Sequence, residues 1–469
     1  MLRKWISMTL ASFMVFSLLS GCVKSSEAKN TDATSKENIQ SQNTPESTQI
    51  PDLNGAVIKI VTQGYDLIPT GGNETGDLNV RWFEDIQKKY NCKIEISKNE
   101  VSDEFILDLE SAVAANQKYA DFICVQTDIF FEAALRDLLE SWDGVADTSS
   151  SKLIHNYNKD YAQSGLFDGK LYHIAIADTV KASDVIYFNK TIFKKYGIES
   201  PYDLVRKNQW NWENFRKIAK QATIDTDNDG VTDIWGISNL GHADRVAGFY
   251  FANRATLVQT TESGKIEVTI DDPAYIETME FLRDLAQVDK SMQMTEKGPS
   301  WNEGAKLFAS GKCAMTAHNS MSKGIKEGFQ DELGCVPFPM GPKATTYTGG
   351  TPFMYGFMIP KNVDNLEDKA IVLLDWITNN PYLTKEENDT RRYNDVALYG
   401  SDLDIVDMFK IIDNQDMLFE FSRPLSSVEG FYDTTFNVIS GKLTVQEAIK
   451  TQKARYQSKI NELYSNRNK

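Results

Sequence analysis

Three observations predict an α/β protein of two lobes. From Val57 to Val125 the chain alternates strand-like and helix-like patterns as β-α-β-α-β, an order that demands a parallel sheet with crossover helices. With 469 residues it is too long for a single hydrophobic core, so it divides into two domains or one large two-lobed body. Residues 174–190 (IAIADTVKASDVIYFNK) place two short apolar runs, Ile174–Ala177 and Val185–Phe188, on either side of a polar centre. A strand that leaves one lobe, crosses a gap and enters another has this pattern.

The elements follow in order. Arg3 and Lys4 make a positive start, and residues 5–20 carry no charge. That stretch is too short for a comfortable membrane span and right for a secretory signal. It closes on Leu19-Ser20-Gly21-Cys22, a small-small-Cys ending that resembles a bacterial lipobox. The resemblance implies that residues 1–21 are a signal peptide, that cleavage falls before Cys22, and that a lipid such as palmitate joins its sulfur. An exported protein anchored on the outer face of the cell membrane is expected. An ordinary signal peptide, or a short membrane helix with an incidental cysteine, is the alternative. Residues 22–52 read as the lipidated cysteine and a flexible linker, because 23–50 has no aromatic residue and three large aliphatics, too little apolar surface to offset ordering. A coil of that length spans about 30 Å root-mean-square.

Val57–Val61 reads as a buried strand, 78–90 as a helix capped by Asp77, Cys92–Ile96 as a strand, 103–117 as a helix and Asp121–Val125 as a third strand. In such sheets ligands sit beyond the carboxyl ends of the strands, which directs attention to Gln63–Tyr65 and to Gln126-Thr127-Asp128. Trp212–Ala222 reads as a helix with Trp212, Phe215, Ile218, Ala219 and Ala222 on one side. Further helices are expected at 275–288, 302–310 and 367–378, the last apolar nearly all round and so buried, with a short strand at Ala314–Thr316 and a charged helix over the last 30 residues.

Composition excludes several classes. The formal charge of −16 becomes about −18 once Arg3 and Lys4 leave, which disfavours nucleic acid and anionic lipid as partners. Cys92, Cys124, Cys313 and Cys335 form no C-x-x-C pair and read as buried free thiols, and the four histidines show no metal-ligand spacing. There is no nucleophile elbow, HExxH or phosphate loop. No catalytic residue and no cofactor is expected, beyond an ion at one loop. Asp225-Thr226-Asp227-Asn228-Asp229-Gly230-Val231-Thr232-Asp233 places carboxylates at loop positions 1, 3, 5 and 9 with Gly at 6, the order by which a Ca²⁺ loop wraps oxygens round a hard cation. Val231 would contribute its carbonyl. Position 12 is Gly236 instead of a bidentate Glu, so a structural Ca²⁺ and a plain turn of good turn residues both stand.

Several stretches together resemble the sugar-binding group (family 1) of extracellular solute-binding proteins that serve bacterial ABC importers. These are Asp168-Gly169-Lys170-Leu171-Tyr172; Ile186-Tyr187-Phe188-Asn189-Lys190 with Phe193, Tyr196-Gly197-Ile198 and Pro201; Trp210–Phe215; Phe308–Met315; and Gly349–Pro360. The likeness spans about 55–440. It implies a two-lobed periplasmic-binding-protein-like fold of type II, with lobe 1 at 53–180 plus 317–358 and lobe 2 at 181–316 plus 359–469. Carbohydrate would bind in the cleft and be passed, by a monomer, to permease subunits. Sugars are held by aromatic faces and by planar polar groups on their hydroxyls. On the segments the family places at the cleft, such groups are Gln63, Tyr65, Asp128, Asp178, Lys181, Asp184, Trp301, His318, Asn319 and Arg423, with Gly350 allowing close backbone approach. Met321 stands where relatives often carry an aromatic. Two alternatives remain: a sugar-sensing lipoprotein for a signalling partner, and a secreted carbohydrate-active hydrolase.

Overall fold

The computed structural model describes residues 50–99, 104–145, 165–176, 184–238, 240, 243–261, 265–294, 302–351, 354–420 and 422–466. Its sheets are built, in chain order, from β1 (Ala56–Gln63), β2 (Cys92–Asn99), β3 (Phe122–Gln126), β4 (Leu139–Glu140), β5 (Ile174–Ala175), β6 (Asp184–Asn189), β7 (Trp235–Ile237), β8 (Cys313–Asn319), β9 (Leu333–Val336), β10 (Thr348–Thr351), β11 (Tyr355–Pro360) and β12 (Asp416–Phe419). Helices that cover them include α1 (Glu74–Lys89), α2 (Glu104–Ala114), α3 (Thr127–Leu135), α4 (Trp212–Gln221), α5 (Ala243–Ala252), α6 (Pro273–Gln287), α7 (Leu366–Thr378), α8 (Lys385–Tyr399) and α9 (Val445–Asn466).

The first lobe holds a sheet of order β2-β1-β3-β11-β4, with β5 also paired to β11. β1 runs parallel to β2 (Ile58 opposite Ile94) and to β3 (Val61 opposite Ile123), as the β-α-β-α-β pattern requires. β11, from late in the chain, inserts antiparallel beside β3 (Phe357 opposite Cys124). Successive residues of a strand face opposite sides. Accordingly Phe122, Cys124, Phe357 and Ile359 pack with Trp82, Ile86, Leu373 and Trp376 of α1 and α7, while Ile123, Val125 and Met358 pack with α2 and α3 on the other face. A strand buried on both faces reads as a continuous apolar run, which is why β3 was legible as one.

The second lobe holds a sheet of order β9-β6-β8-β7. β8 is antiparallel to β6 (Ala317 opposite Ile186) and parallel to β7. One continuous core joins its helices to the α2–α3 face of the first lobe. α9 spans this join: the Ile266 N–H donates to the Tyr464 hydroxyl at 3.0 Å, and the Tyr464 ring lies 6.2 Å from that of Phe167.

Three expectations are corrected. α1 begins a turn before 78, because the Asn73 side chain accepts from the Gly76 N–H at 2.8 Å and caps it; Asp77 lies inside the first turn and accepts from the Gly72 N–H. The segment 317–351 does not join the first sheet: β8 stays paired to β6 through Asn319, and β9 flanks the same strand. Conversely 359–378 stays with the first lobe, where the Trp82 indole N–H donates to the Trp376 carbonyl at 2.9 Å. The boundaries expected at 317 and 358 therefore move to the short β10–β11 connection and to the chain beyond α7. The signal, Cys22 and the linker before residue 50 lie outside the described residues.

Candidate functional site

β5 of the first sheet is followed in the chain by β6 of the second, and β10 by β11 of the first sheet, and the strand ends beside these two connections carry polar and aromatic side chains. On the first lobe, Gln63 ends β1, Gln126 ends β3 and Tyr355 opens β11 in register with Gln126. The Gln126 amide donates to the Tyr355 hydroxyl at 2.6 Å, and that hydroxyl donates to the Gly64 carbonyl at 3.3 Å. Its oxygen is thereby committed to the fold while its ring lies 4.8 Å from that of Tyr65, tilted by 35°. Thr127 ties the second connection, donating its N–H to the Met354 carbonyl (2.9 Å) and accepting from the Met354 N–H at its hydroxyl (3.1 Å). The Ile176 N–H donates to the Tyr355 carbonyl at 2.8 Å. Thr127 and Ile176 thus hold the consecutive residues Met354 and Tyr355 where β11 begins.

On the second lobe, Asp184 opens β6 and Asn319 closes β8, and the two are register partners. Arg245 of α5 donates one guanidinium nitrogen to both Asp184 oxygens (2.7 and 2.6 Å) and another to Asn319 Oδ1 (3.1 Å). The carbonyl of Asn319 accepts from the Tyr187 hydroxyl at 2.8 Å. Beside it, burial and then the Arg245 charge push the His318 imidazole down to about 4, so it is neutral near pH 7. Between the lobes Ala175 and Met354 form a small apolar cluster against Phe419 of β12, a strand paired to β10 (Thr351 opposite Phe419). Glu420, next in the chain, accepts from the Tyr250 hydroxyl (2.9 Å) and the Leu257 N–H (2.6 Å).

Residues 72–383 match the sequence family described as bacterial extracellular solute-binding protein. The chain belongs to that family. Among solved structures, the fold of this solute-binding protein is similar to the galacto-N-biose/lacto-N-biose I-binding protein of an ABC transporter from Bifidobacterium longum, in complex with lacto-N-biose. That match has a TM-score of 0.60 and 14% identity, over 88% of this chain and 98% of that one. It is similar to an ABC substrate-binding protein from Listeria monocytogenes in complex with cycloalternan (TM-score 0.56, 15% identity, 87% and 99% covered). It is also similar to a cyclo/maltodextrin-binding protein complexed with maltotetraose (TM-score 0.60, 16% identity, 89% and 98% covered). At such identities the likeness establishes the two-lobed fold. No curated protein matches the sequence. The family and these structural neighbours are binding proteins, not enzymes.

The solute-binding protein brings together some of the residues expected from sequence and not others. Tyr65 and Asn319 lie at the strand ends beside these connections, and Gln63 and His318 lie there too but are buried, 3% and 5% exposed. Asp184 is at the right edge, yet its carboxylate is consumed by Arg245 inside the lobe. The room at Gly350 serves packing: a Cβ there would stand 2.4 Å from the Phe251 ring, so the close approach is to α5. Asp128 sits in the first turn of α3 and Arg423 opens a short 3₁₀ turn, with side chains outside the described residues, as are Asp178, Lys181 and Trp301 entirely. Met321 packs against the core beneath β6 and β9. Sequence reasoning missed Tyr355, Arg245 and Phe419 as members of this edge. Tyr355 lay inside the quoted Gly349–Pro360 motif, but only its register with Gln126 marks it. Arg245 and its partner Asp184 are 61 residues apart, with no local signal.

The acidic loop lies away from these strand ends, between α4 and β7. Carboxylate oxygens of Asp225, Asp227 and Asp229 come within 4.8 Å of one another. Asp225 accepts from the N–H groups of Asn228 (2.7 Å) and Gly230 (2.8 Å). Asp233 does not converge on them; its carboxylate accepts from the N–H and hydroxyl of Thr226 and closes the loop. The Val231 side chain is exposed.

Proposed function

We infer that this chain is an exported lipoprotein, held through Cys22 on the outer face of the cell membrane, that captures an oligosaccharide between its lobes and delivers it to the permease subunits of an ABC importer. The observation that carries the reading is the edge formed by Tyr65, Tyr355, Gln126, His318 and Asn319. Tyrosine rings and an amide stand at the strand ends of the first sheet, and an amide and a buried, neutral imidazole at those of the second, beside the connections between the sheets, in a protein of this family. Ring faces suit the C–H face of a pyranose, and amide and imidazole groups suit its hydroxyls. Structural neighbours carry lacto-N-biose, cycloalternan and maltotetraose, which supports sugar as the solute class. Asp128, Asp178, Lys181, Trp301 and Arg423 complete the proposed contact set. Capture by lobe closure would let the membrane partner read the loaded state. The fold requires no catalytic group for this, and the protein acts as a monomer.

A thermal-shift screen of the protein from residue 23 onward, against maltotetraose, cycloalternan, lacto-N-biose and a wider glycan panel, tests the reading. One or more glycans should raise the melting temperature. Stabilisation by a non-sugar solute and by no glycan sinks it. Cys22→Ala should release the exported protein into the medium and abolish labelling by palmitate; retention in the membrane fraction refutes the anchor. The reading also carries a structural Ca²⁺ at Asp225, Asp227 and Asp229. EGTA added to a calcium-loaded sample should lower the melting temperature, and an unmoved transition removes the ion.

A further inference from the structure

We propose that Arg245 is a positioning residue for solute capture, one that clamps the two strand ends forming the second lobe's share of the cleft. The proposal rests on the sugar-capture reading. Arg245 touches Asp184 and Asn319, which come from different strands and face each other in register. Both are terminal: Asp184 is where β6 begins after the passage from the first lobe, and Asn319 is where β8 ends. The side chains of Arg245 and Asp184 are 3% and 4% exposed, so neither is presented to a solute.

Stability alone is a weak reason for such a pair. Withdrawing two charges from water is costly, and packed apolar side chains commonly do as well in the same space. Neighbouring buried residues include apolar Val185, Ile186, Val246 and Ala317, with the neutral His318 imidazole also within reach of the Arg245 charge. What the guanidinium adds is direction, because its planar fork fixes partners at set angles. With Oδ1 on Arg245 and its carbonyl on the Tyr187 hydroxyl, Asn319 keeps the Nδ2 hydrogens as its donors toward a ligand hydroxyl. The orientation of the Asn319 amide and the alignment of the two strand ends are thereby fixed by one side chain.

The test is a pair of variants studied by urea denaturation, calorimetric titration with the glycan panel named above, and hydrogen exchange of the amides in 184–189 and 313–319. Arg245→Met with Asp184→Leu replaces the ion pair by apolar chains. It should keep the unfolding midpoint close to wild type, lower glycan affinity about tenfold or more, and speed exchange at both strand ends. Arg245→Lys keeps the charge but not the fork, and should lose affinity by about threefold or more; it serves alone where the double variant does not fold. Wild-type affinity in these variants overturns the proposal. So does a loss of affinity only in proportion to a loss of stability, with exchange at 184 and 319 unchanged. If wild type binds no glycan, sugar capture fails as a reading. In that case faster exchange in the variants supports the clamp, and unchanged exchange refutes it.

Discussion

Tyr355 separates two roles that the cleft demands of one side chain, and its variants can tell them apart. Tyr355→Phe keeps the ring beside Tyr65 and removes the hydroxyl that links Gln126 at 2.6 Å and Gly64 at 3.3 Å. A net hydrogen bond contributes about 1 kcal/mol. The bond from Gln126 is short and that to Gly64 long, so the loss should be about 1–2 kcal/mol of stability. If the ring face is what meets the solute, affinity for the best glycan of the panel should change by less than about threefold. Tyr355→Ala removes the ring as well, together with the contact to Tyr65, an aromatic pairing worth about 0.5–1.5 kcal/mol beyond its area. Losing a stacking surface of that size should weaken glycan binding by about 1–2 kcal/mol, or roughly 5- to 30-fold in Kd. Urea unfolding gives the stability and calorimetric titration the affinity. If Phe binds as poorly as Ala, the hydroxyl and not the ring governs binding. If Ala binds as well as wild type, this edge is not where the solute sits. Either result refutes the argument made for the ring.

Three further outcomes are expected. His173, buried against the Phe130 ring at a centroid distance of 5.4 Å, is pushed down by burial to about 3, and His318 to about 4. A histidine with a depressed folded value contributes stability that is complete above about pH 6.5, its unfolded value, and is lost as pH falls toward the folded one. Stability should therefore decline between pH 6.5 and 4 by up to about 1.4 kcal/mol per pH unit for His173, and His173→Gln should flatten that slope in urea titrations at several pH values; an unaltered slope counts against it. Lys369, buried in the first lobe, donates to Asp121 at 2.8 Å and to Asp364 at 3.0 Å, so Lys369→Met should cost about 2–4 kcal/mol, below the full loss of a buried partner because Lys118 still reaches Asp121 at 3.0 Å; a change under about 1 kcal/mol would refute the pair's role. Gly350→Ala should cost about 1–3 kcal/mol by driving a methyl into the Phe251 ring, and a neutral calorimetric result would show that α5 yields there.

Much of the fold was legible because its central strands, β3 and β11, are buried on both faces and many of its helices carry a single apolar stripe. α4, in the second lobe, is the clearest case. Its Asn211 cap accepts from the Asn214 N–H at 3.1 Å, and Trp212, Phe215, Ile218 and Ala219 are buried, the face expected from spacing alone. The free thiols Cys124, Cys313 and Cys335 are buried as expected, and Cys92 is partly so. Reading failed where a local signal was shared by two outcomes. Ala314–Thr316 marked a strand of the second lobe, as found, but nothing in it told that pairing would extend from Cys313 to Asn319 and keep the following segment in the same lobe. Asp184 has the residue type of a sugar ligand, and only the approach of Arg245 shows that its charge is already satisfied.

Local spacing by itself determined the parallel β-α-β order, the helical faces, the address signal at Cys22 as an expectation, and the segments whose order matches the family. Those properties depend on the 3.6- and 2-residue periods and on neighbours a few positions apart. Tertiary structure alone decided the insertion of β11 beside β3, the transfer of 317–351 to the second lobe, the Tyr65–Tyr355 edge and the Arg245 clamp. Each of these joins residues tens to hundreds of positions apart, for example Tyr355 to Gly64 across 291 residues. Hydrogen bonds and packing at that range are set by how whole sheets and helices meet, and no short window of sequence records them.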